Sequence, residues 1–213
     1  MGILRYIGLL FELLALITAV IYFYKYKNTA LRYFLLLLAY IFLNDSLGMF
    51  VREYITDYNA VLYNSYYVIN FSFWFLLYRY YLKITFNKKI VLSFFLIYII
   101  SFIINGFFEN YLIDYQRLPY IIAALFLIIT IVIYFIEVLN SQKVLHTKNN
   151  LLFWISVGLL IYYVGNLPFR ILRNYYIQLA DATILFLVNF VLTVVLNSCF
   201  IIGFIWSNKK QQF

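Results

Sequence analysis

The chain is poor in most residue types that announce chemistry. It holds one cysteine, one histidine, two prolines and seven glycines among 213 residues. A single cysteine, Cys199, set in an apolar run, excludes a disulfide framework and leaves redox compartment unread. It has no histidine at a matching depth, so a thiol nucleophile is not expected. The lone histidine, His146, stands in a lysine-flanked loop; that excludes histidine-box di-iron chemistry and argues against a zinc site. There is no glycine-rich phosphate loop. No Gly/Ser or Pro linker divides the chain, so residues 1–213 read as a single domain. Charge is scarce too: 11% of residues are charged, against about 25% in an ordinary globular chain. Neither a metal nor a cofactor is expected, and the reading is non-enzymatic. A two-carboxylate acid/base site built from Glu12 and Asp45 has only their shared depth in its favour.

What remains is apolar. Hydrophobic residues make up 66% of the chain and its mean hydropathy is +0.91. A water-soluble domain has nowhere to put so much Phe, Tyr, Leu and Ile, so the composition reads as an all-α, multi-pass membrane protein whose first partner is the lipid bilayer. The net charge of +8 would suggest nucleic acid in a soluble protein. Here it marks cytoplasmic loops, and no nucleic-acid partner is expected. Richness in Ile, Phe, Tyr, Asn and Lys also fits an AT-rich coding bias, so abundance of Tyr or Asn is not by itself an argument.

A spanning helix needs about 20 mainly apolar residues. The sequence supplies seven such runs: Leu4–Tyr24, Leu31–Val51, Ala60–Leu82, Ile90–Phe108, Leu118–Asn140, Leu151–Phe169 and Ala182–Trp206. Lys25, Lys27, Lys83, Lys88, Lys89, Lys143, Lys148, Lys209 and Lys210 all fall on one side of that seven-helix bundle. The other side carries Arg5, Arg52, Arg117, Arg170 and Arg173, nearly balanced by Glu53, Asp57, Glu109, Asp114 and Asp181. The positive-inside rule then predicts an outside amino terminus and a cytoplasmic carboxyl terminus, in a bacterial inner membrane. Glu12 interrupts the first run and no A-x-A-like site follows it, so a retained helix is expected rather than a cleaved signal peptide. No lipid-anchor motif is present.

With that direction, Glu12 and Asp45 each lie within about 5 Å of the midplane, on the outer side. Asn44 precedes Asp45. Tyr63, Tyr66, Tyr67, Asn70 and Trp74 recur at helical spacing as one stripe, and Trp154, Gly158, Tyr162 and Asn166 share a face of the sixth run. Asn105 and Asn189 also fall in the outer half. Ionised carboxylates at such depth cost about 2.5–3.5 kcal/mol and should face the interior, be paired, protonated or reach water. Two readings stand. One is an outward-facing pocket walled by tyrosines and Trp74 with Asp45 at its base. The other is helix-to-helix hydrogen bonding worth ~1 kcal/mol per bond.

The stretch "YYVGNLPFRILRNYY" ends the sixth run. Asn166, Arg170 and Arg173 can share one helical face, Gly165 allows a neighbouring helix to come close, and Pro168 should loosen the last turn. The arginines read either as a cationic rim for an anionic ligand or a counterion for Asp45, or as snorkelling interfacial side chains.

The segment "NNLLFWISVGLLIYYVGNLPF" resembles the sixth helix of seven-helix membrane modules common in Bacteroidetes. In those, an Asn-x-x-Phe-Trp start and a Gly-Leu-Leu-Ile-Tyr-Tyr-x-Gly-Asn-like finish recur, sometimes upstream of a histidine kinase. Phe153, Trp154, Gly158, Tyr162, Gly165 and Asn166 carry the match. The resemblance implies a sensory or accessory membrane module. Only "SNKKQQF" follows Trp206 here, so the signal is expected to pass to a separate membrane or cytoplasmic partner. The expected ligand site comprises Asp45, Asn44, Glu12, Tyr63, Tyr67, Asn70, Trp74, Asn166 and Arg170. Two alternatives remain. "LNDSLGMFVREY…YVINF" and "VGNLPFRILRNY…FLVNF" resemble one another, as a small-solute transporter with a 3+1+3 parallel repeat would require. A pore-forming or defence-type effector is the other; lysine is absent from the last run, which excludes a retinal protein.

Overall fold

In a bilayer the backbone must satisfy its own hydrogen bonds, so long apolar runs fold as helices. The computed structural model describes residues 2–55, 59–141, 147–172 and 183–209. Those residues form seven α-helices: α1 (Gly2–Ile21), α2 (Arg32–Tyr54), α3 (Ala60–Tyr81), α4 (Thr85–Asn105), α5 (Arg117–Leu139), α6 (Leu151–Ile171) and α7 (Thr183–Trp206). Six of them are long and apolar enough to cross a membrane. The other, α3, matches them in length; its tyrosines and asparagines hold its hydropathy lower than theirs. The helices present large apolar side chains outward, such as Leu10, Leu36, Ile100, Leu125 and Val191. Hydrocarbon, not water, is the solvent that such surfaces suit.

The chain forms two compact units, Met1–Leu38 with Val138–Phe213, and Ala39–Glu137. This division joins α1 with α6 and α7, and so does not follow the 3+1+3 line a parallel repeat would draw.

In the first unit α6 and α7 run antiparallel along a seam of small residues. A Cβ on Gly158 would stand 2.9 Å from Cys199 Cβ and 3.3 Å from the Leu196 carbonyl; one on Gly203 would stand 2.8 Å from Trp154 Cβ. Gly165 meets the end of Leu192 in the same way, the close approach its sequence position predicts. Helix α1 runs parallel to α7: the Arg5 guanidinium lies 5.5 Å from the Phe186 ring at one end, and Lys25 reaches Phe204 and Ile205 at the other. Its face made of Gly8, Glu12, Ala15 and Ala19 is buried. Lys25 is more than a topology marker. Its Nζ donates to the carbonyls of Phe204 (2.9 Å) and Ile205 (2.8 Å), closing the negative end of α7. Partial burial lowers its ammonium from the ordinary value, and burial raises the phenol of neighbouring Tyr26, which donates to Ala19 O at 2.6 Å. Helix α6 is capped by Asn150, whose Oδ1 accepts from Leu152 N at 2.8 Å. It continues through Pro168 to Ile171, two residues beyond the expected end.

In the second unit α3 and α5 run parallel and α4 runs against both. Tyr67 meets Tyr120 at 4.9 Å and Tyr78 meets Tyr134 at 5.6 Å, while Phe71 lies 5.6 Å from Tyr98 and Phe94 stacks on Phe126 at 4.4 Å. Helix α4 starts at Thr85, not at Ile90 as the apolar pattern suggests. A tertiary contact fixes this start. Glu137 of α5 accepts from Lys83 N (2.7 Å), Ile84 N (3.2 Å) and Asn87 Nδ2 (2.8 Å), so its carboxylate pins the two residues that precede α4 and a side chain of its first turn. Glu137→Ala should cost about 1–2 kcal/mol, read as earlier unfolding in a denaturing-detergent titration, and Glu137→Gln less, because one acceptor oxygen stays. Equal stability of all three proteins would mean that water serves these amides as well.

Candidate functional site

The buried face of α3 carries Asn64, Tyr67, Asn70, Phe71, Trp74 and Tyr78. The sequence stripe is therefore right at Tyr67, Asn70 and Trp74 and displaced at its start, where Asn64 is buried and Tyr63 and Tyr66 are half-buried. Asn64 is 4% exposed and fully engaged. Its Nδ2 donates to the carbonyls of Tyr111 (2.8 Å) and Asp114 (2.9 Å), and its Oδ1 accepts from Gln116 N (3.1 Å). One side chain thus bonds three backbone groups of the connection between α4 and α5. Asn105 supports it from α4, donating to Glu109 Oε2 (2.8 Å) and Gln116 Oε1 (2.6 Å). The Tyr111 hydroxyl donates to Phe102 O at 2.5 Å, with its ring stacked 5.1 Å from that of Phe102. Gly106 leaves the space for that hydroxyl, which a Cβ there would fill. Asn59 donates to Gly48 O (3.3 Å) and accepts from the Tyr115 hydroxyl, which fixes the junction of α2 with α3. Most polar groups at this end are occupied with folding the connection; the exception is Gln116 Nε2, buried and without a hydrogen-bond partner among the described residues.

Deeper in the same unit, Trp74 Nε1 donates to Asn70 Oδ1 at 2.9 Å, so two expected ligand residues bind one another. Helix α2 buries Asn44 and Gly48, one turn apart, and Gly48 lies against the hydroxyl end of Tyr63. Asn44 is 5% exposed, and its Nδ2 has no hydrogen-bond partner among the described residues. The Tyr98 hydroxyl, on α4, is likewise buried and unbonded among them. Asp45 is half-buried, at the flank of that face.

In the first unit Asn166 Nδ2 donates to Asn189 Oδ1 at 2.8 Å, and Arg170 Nε donates to Asn166 Oδ1 at 3.1 Å. The Tyr162 hydroxyl lies 3.5 Å from Asn189 Oδ1. This chain crosses from α6 to α7 and works as helix-to-helix bonding. Glu12 is buried on α1 at 8% exposure. Arg173, Asp57, Asp181 and His146 lie outside the described residues. Of the expected set, Glu12, Asn166 and Arg170 belong to the first unit, and Asn44, Asp45, Tyr63, Tyr67, Asn70 and Trp74 to the second. The repeat would make Asn44 and Asn70 the counterparts of Asn166 and Asn189. The bond that joins the latter pair has no donor counterpart at Asn44, whose Nδ2 donates to nothing described. The sequence pattern missed Asn64, Gln116 and Tyr111, and gave Glu137 no role.

Helices of this length and apolarity, with apolar side chains outward and many polar ones bonded within, define a multi-pass α-helical membrane protein. No protein-family model matches the chain, and no curated protein or solved structure matches it.

Proposed function

We propose that the protein is a non-enzymatic sensor or accessory protein of the bacterial inner membrane, with seven spans, its amino terminus outside and its carboxyl terminus in the cytoplasm. It takes a small polar or amphiphilic ligand from the outer side and signals through a separate partner. The observation that carries this reading is Asn44. A buried amide donor without an acceptor costs about 1–3 kcal/mol, and most buried donors are paired. A ligand carrying a carbonyl, carboxylate or hydroxyl oxygen would supply the acceptor, with the aromatic face of α3 beside it and Asp45 at the flank. Asn70 and Trp74 support the site as a bonded pair, not as separate ligand contacts. Glu12, Asn166 and Arg170 belong to the other unit, where the bonds of the last two tie α6 to α7.

The test is native mass spectrometry of protein released from nanodiscs, comparing wild type with Asn44→Leu and Asp45→Asn. The wild type should carry a discrete small molecule. Asn44→Leu should lose it or hold it about fivefold less tightly, the worth of one hydrogen bond of ~1 kcal/mol. A wild type that carries nothing, or a folded Asn44→Leu protein that retains the same molecule equally, would remove Asn44 from the site and the pocket with it.

A further inference from the structure

The corner between α3 and α4 gathers four cations within eleven residues, Arg79, Lys83, Lys88 and Lys89. Arg79, Lys83 and Lys89 are exposed and Lys88 is half-buried. The carboxylate bonded to this corner is Glu137, and it is spent on two backbone amides and the Asn87 side chain, not on an ammonium group. None of the four cations donates to a carboxylate among the described residues. The bonds of Glu137 also hold the corner in one shape, with the chain turning from Tyr81 to Thr85 over three residues. Beside the cations the same corner exposes Tyr80 (67%) and Phe86 (69%).

This arrangement is costly without an occupant. Lys88 and Lys89 stand in and just beyond the first turn of α4, where the helix dipole disfavours positive charge, and no acidic residue of α4 itself offsets them. Large aromatic side chains facing outward next to unpaired cations fit a ligand that is anionic at one end and apolar at the other. The Glu137 carboxylate stands at the start of α4 and would repel an anion there, so the partners of the anion are the side-chain cations.

We propose that the α3–α4 corner is a binding site for an anionic phospholipid, its phosphodiester held by Lys83, Lys88 and Lys89 with Arg79 adjoining, and its acyl chains lying along Tyr80 and Phe86. The site is independent of the outer ligand reading and of which side of the membrane the corner faces. A bilayer surface attracts each nearby cation, and the attraction is screened within about 10 Å at 0.1 M salt. A retained lipid differs from that general attraction because it is discrete and depends on these lysines in particular.

The protein, reconstituted in nanodiscs of equal parts phosphatidylglycerol and phosphatidylcholine, would be released into the mass spectrometer and its retained lipids counted. Wild type should hold one phosphatidylglycerol with about tenfold preference over phosphatidylcholine. Lys83→Gln/Lys88→Gln/Lys89→Gln should lose that preference, while Lys27→Gln/Lys209→Gln, which removes exposed lysines elsewhere, should keep it. Equal loss in both variants would reduce the effect to bulk charge and overturn the proposal. So would the absence of a preference in wild type, or displacement of the lipid by excess inorganic phosphate, which would show a phosphate site without lipid recognition. Unchanged thermal unfolding in detergent for both variants is expected, since none of the five lysine side chains makes a bond within the described fold.

Discussion

Gly158→Leu should lose about 3 kcal/mol or more of stability and leave little folded protein in detergent. The site has no slack. The added Cβ alone meets Cys199 Cβ at 2.9 Å and the Leu196 backbone carbonyl at 3.3 Å, neither of which can swing aside, so the two helices would have to part. Separation of α6 from α7 would also stretch the Asn166–Asn189 bond and the Arg170 contact that depends on it. Gly165 supplies the comparison. Its neighbour is the end of the Leu192 side chain, which can rotate, so Gly165→Ala should cost less than about 1 kcal/mol. Unfolding by denaturing detergent, followed by tryptophan fluorescence from Trp154 at the same seam, reads both. If the two substitutions were equally harmless, the seam would not be held by close helix contact, and the small-residue reading of α6 would fail.

The helices were legible because an apolar run of spanning length has one acceptable conformation in hydrocarbon. Most helix ends fell within a few residues of the expected ones. The exception, α4, shows what sequence proximity cannot supply: the carboxylate that pins the residues before it, Glu137, belongs to a different helix, and the run "KITFNKK" looks like a loop until that carboxylate is placed. The candidate site divides in the same way. Asn166 and Arg170 are four residues apart on one helix, so their contact follows from helical spacing alone. The partner that gives Asn166 its role, Asn189, is on α7 and was visible only as a polar residue of suitable depth. On α3 the stripe through Tyr63 and Tyr67 suited the pattern as well as one through Asn64. A shift of one residue turns a side chain by about 100°, and only the neighbours, here the α4–α5 connection, decide between them. Composition and periodicity carry helix number and apolar faces. Which polar group is bonded and which is left open depends on pairs far apart in the chain, and Asn44 emerges only when those pairs are known.

Asn64→Leu is expected to detach the α4–α5 connection from α3 at a cost of about 3–4 kcal/mol. The magnitude follows from counting what is stranded. Leucine keeps the branched shape with the same number of side-chain heavy atoms, so no cavity opens, but the carbonyls of Tyr111 and Asp114 lose their donor and Gln116 N loses its acceptor. Each stranded buried group costs about 1–3 kcal/mol unless water reaches it, and the exposed rim of the connection lets some water in, which places the sum toward the low end. The damage should spread to Gln116, whose buried side chain is positioned partly through that backbone bond, and then to Asn105 beneath it. Asn64→Asp separates shape from chemistry: it keeps the acceptor for Gln116 N, loses the two donated bonds, and puts a carboxylate against two carbonyl oxygens, so it should be at least as harmful as leucine. Hydrogen exchange in nanodiscs gives the local reading. Amides from Glu109 to Gln116 should exchange faster in Asn64→Leu by a factor of about 100, while those in the α6–α7 pair stay unchanged. Uniform acceleration across both units would instead mean that Asn64 holds the whole fold, and unaltered exchange that the connection is held by Asn105 and Tyr111 without it.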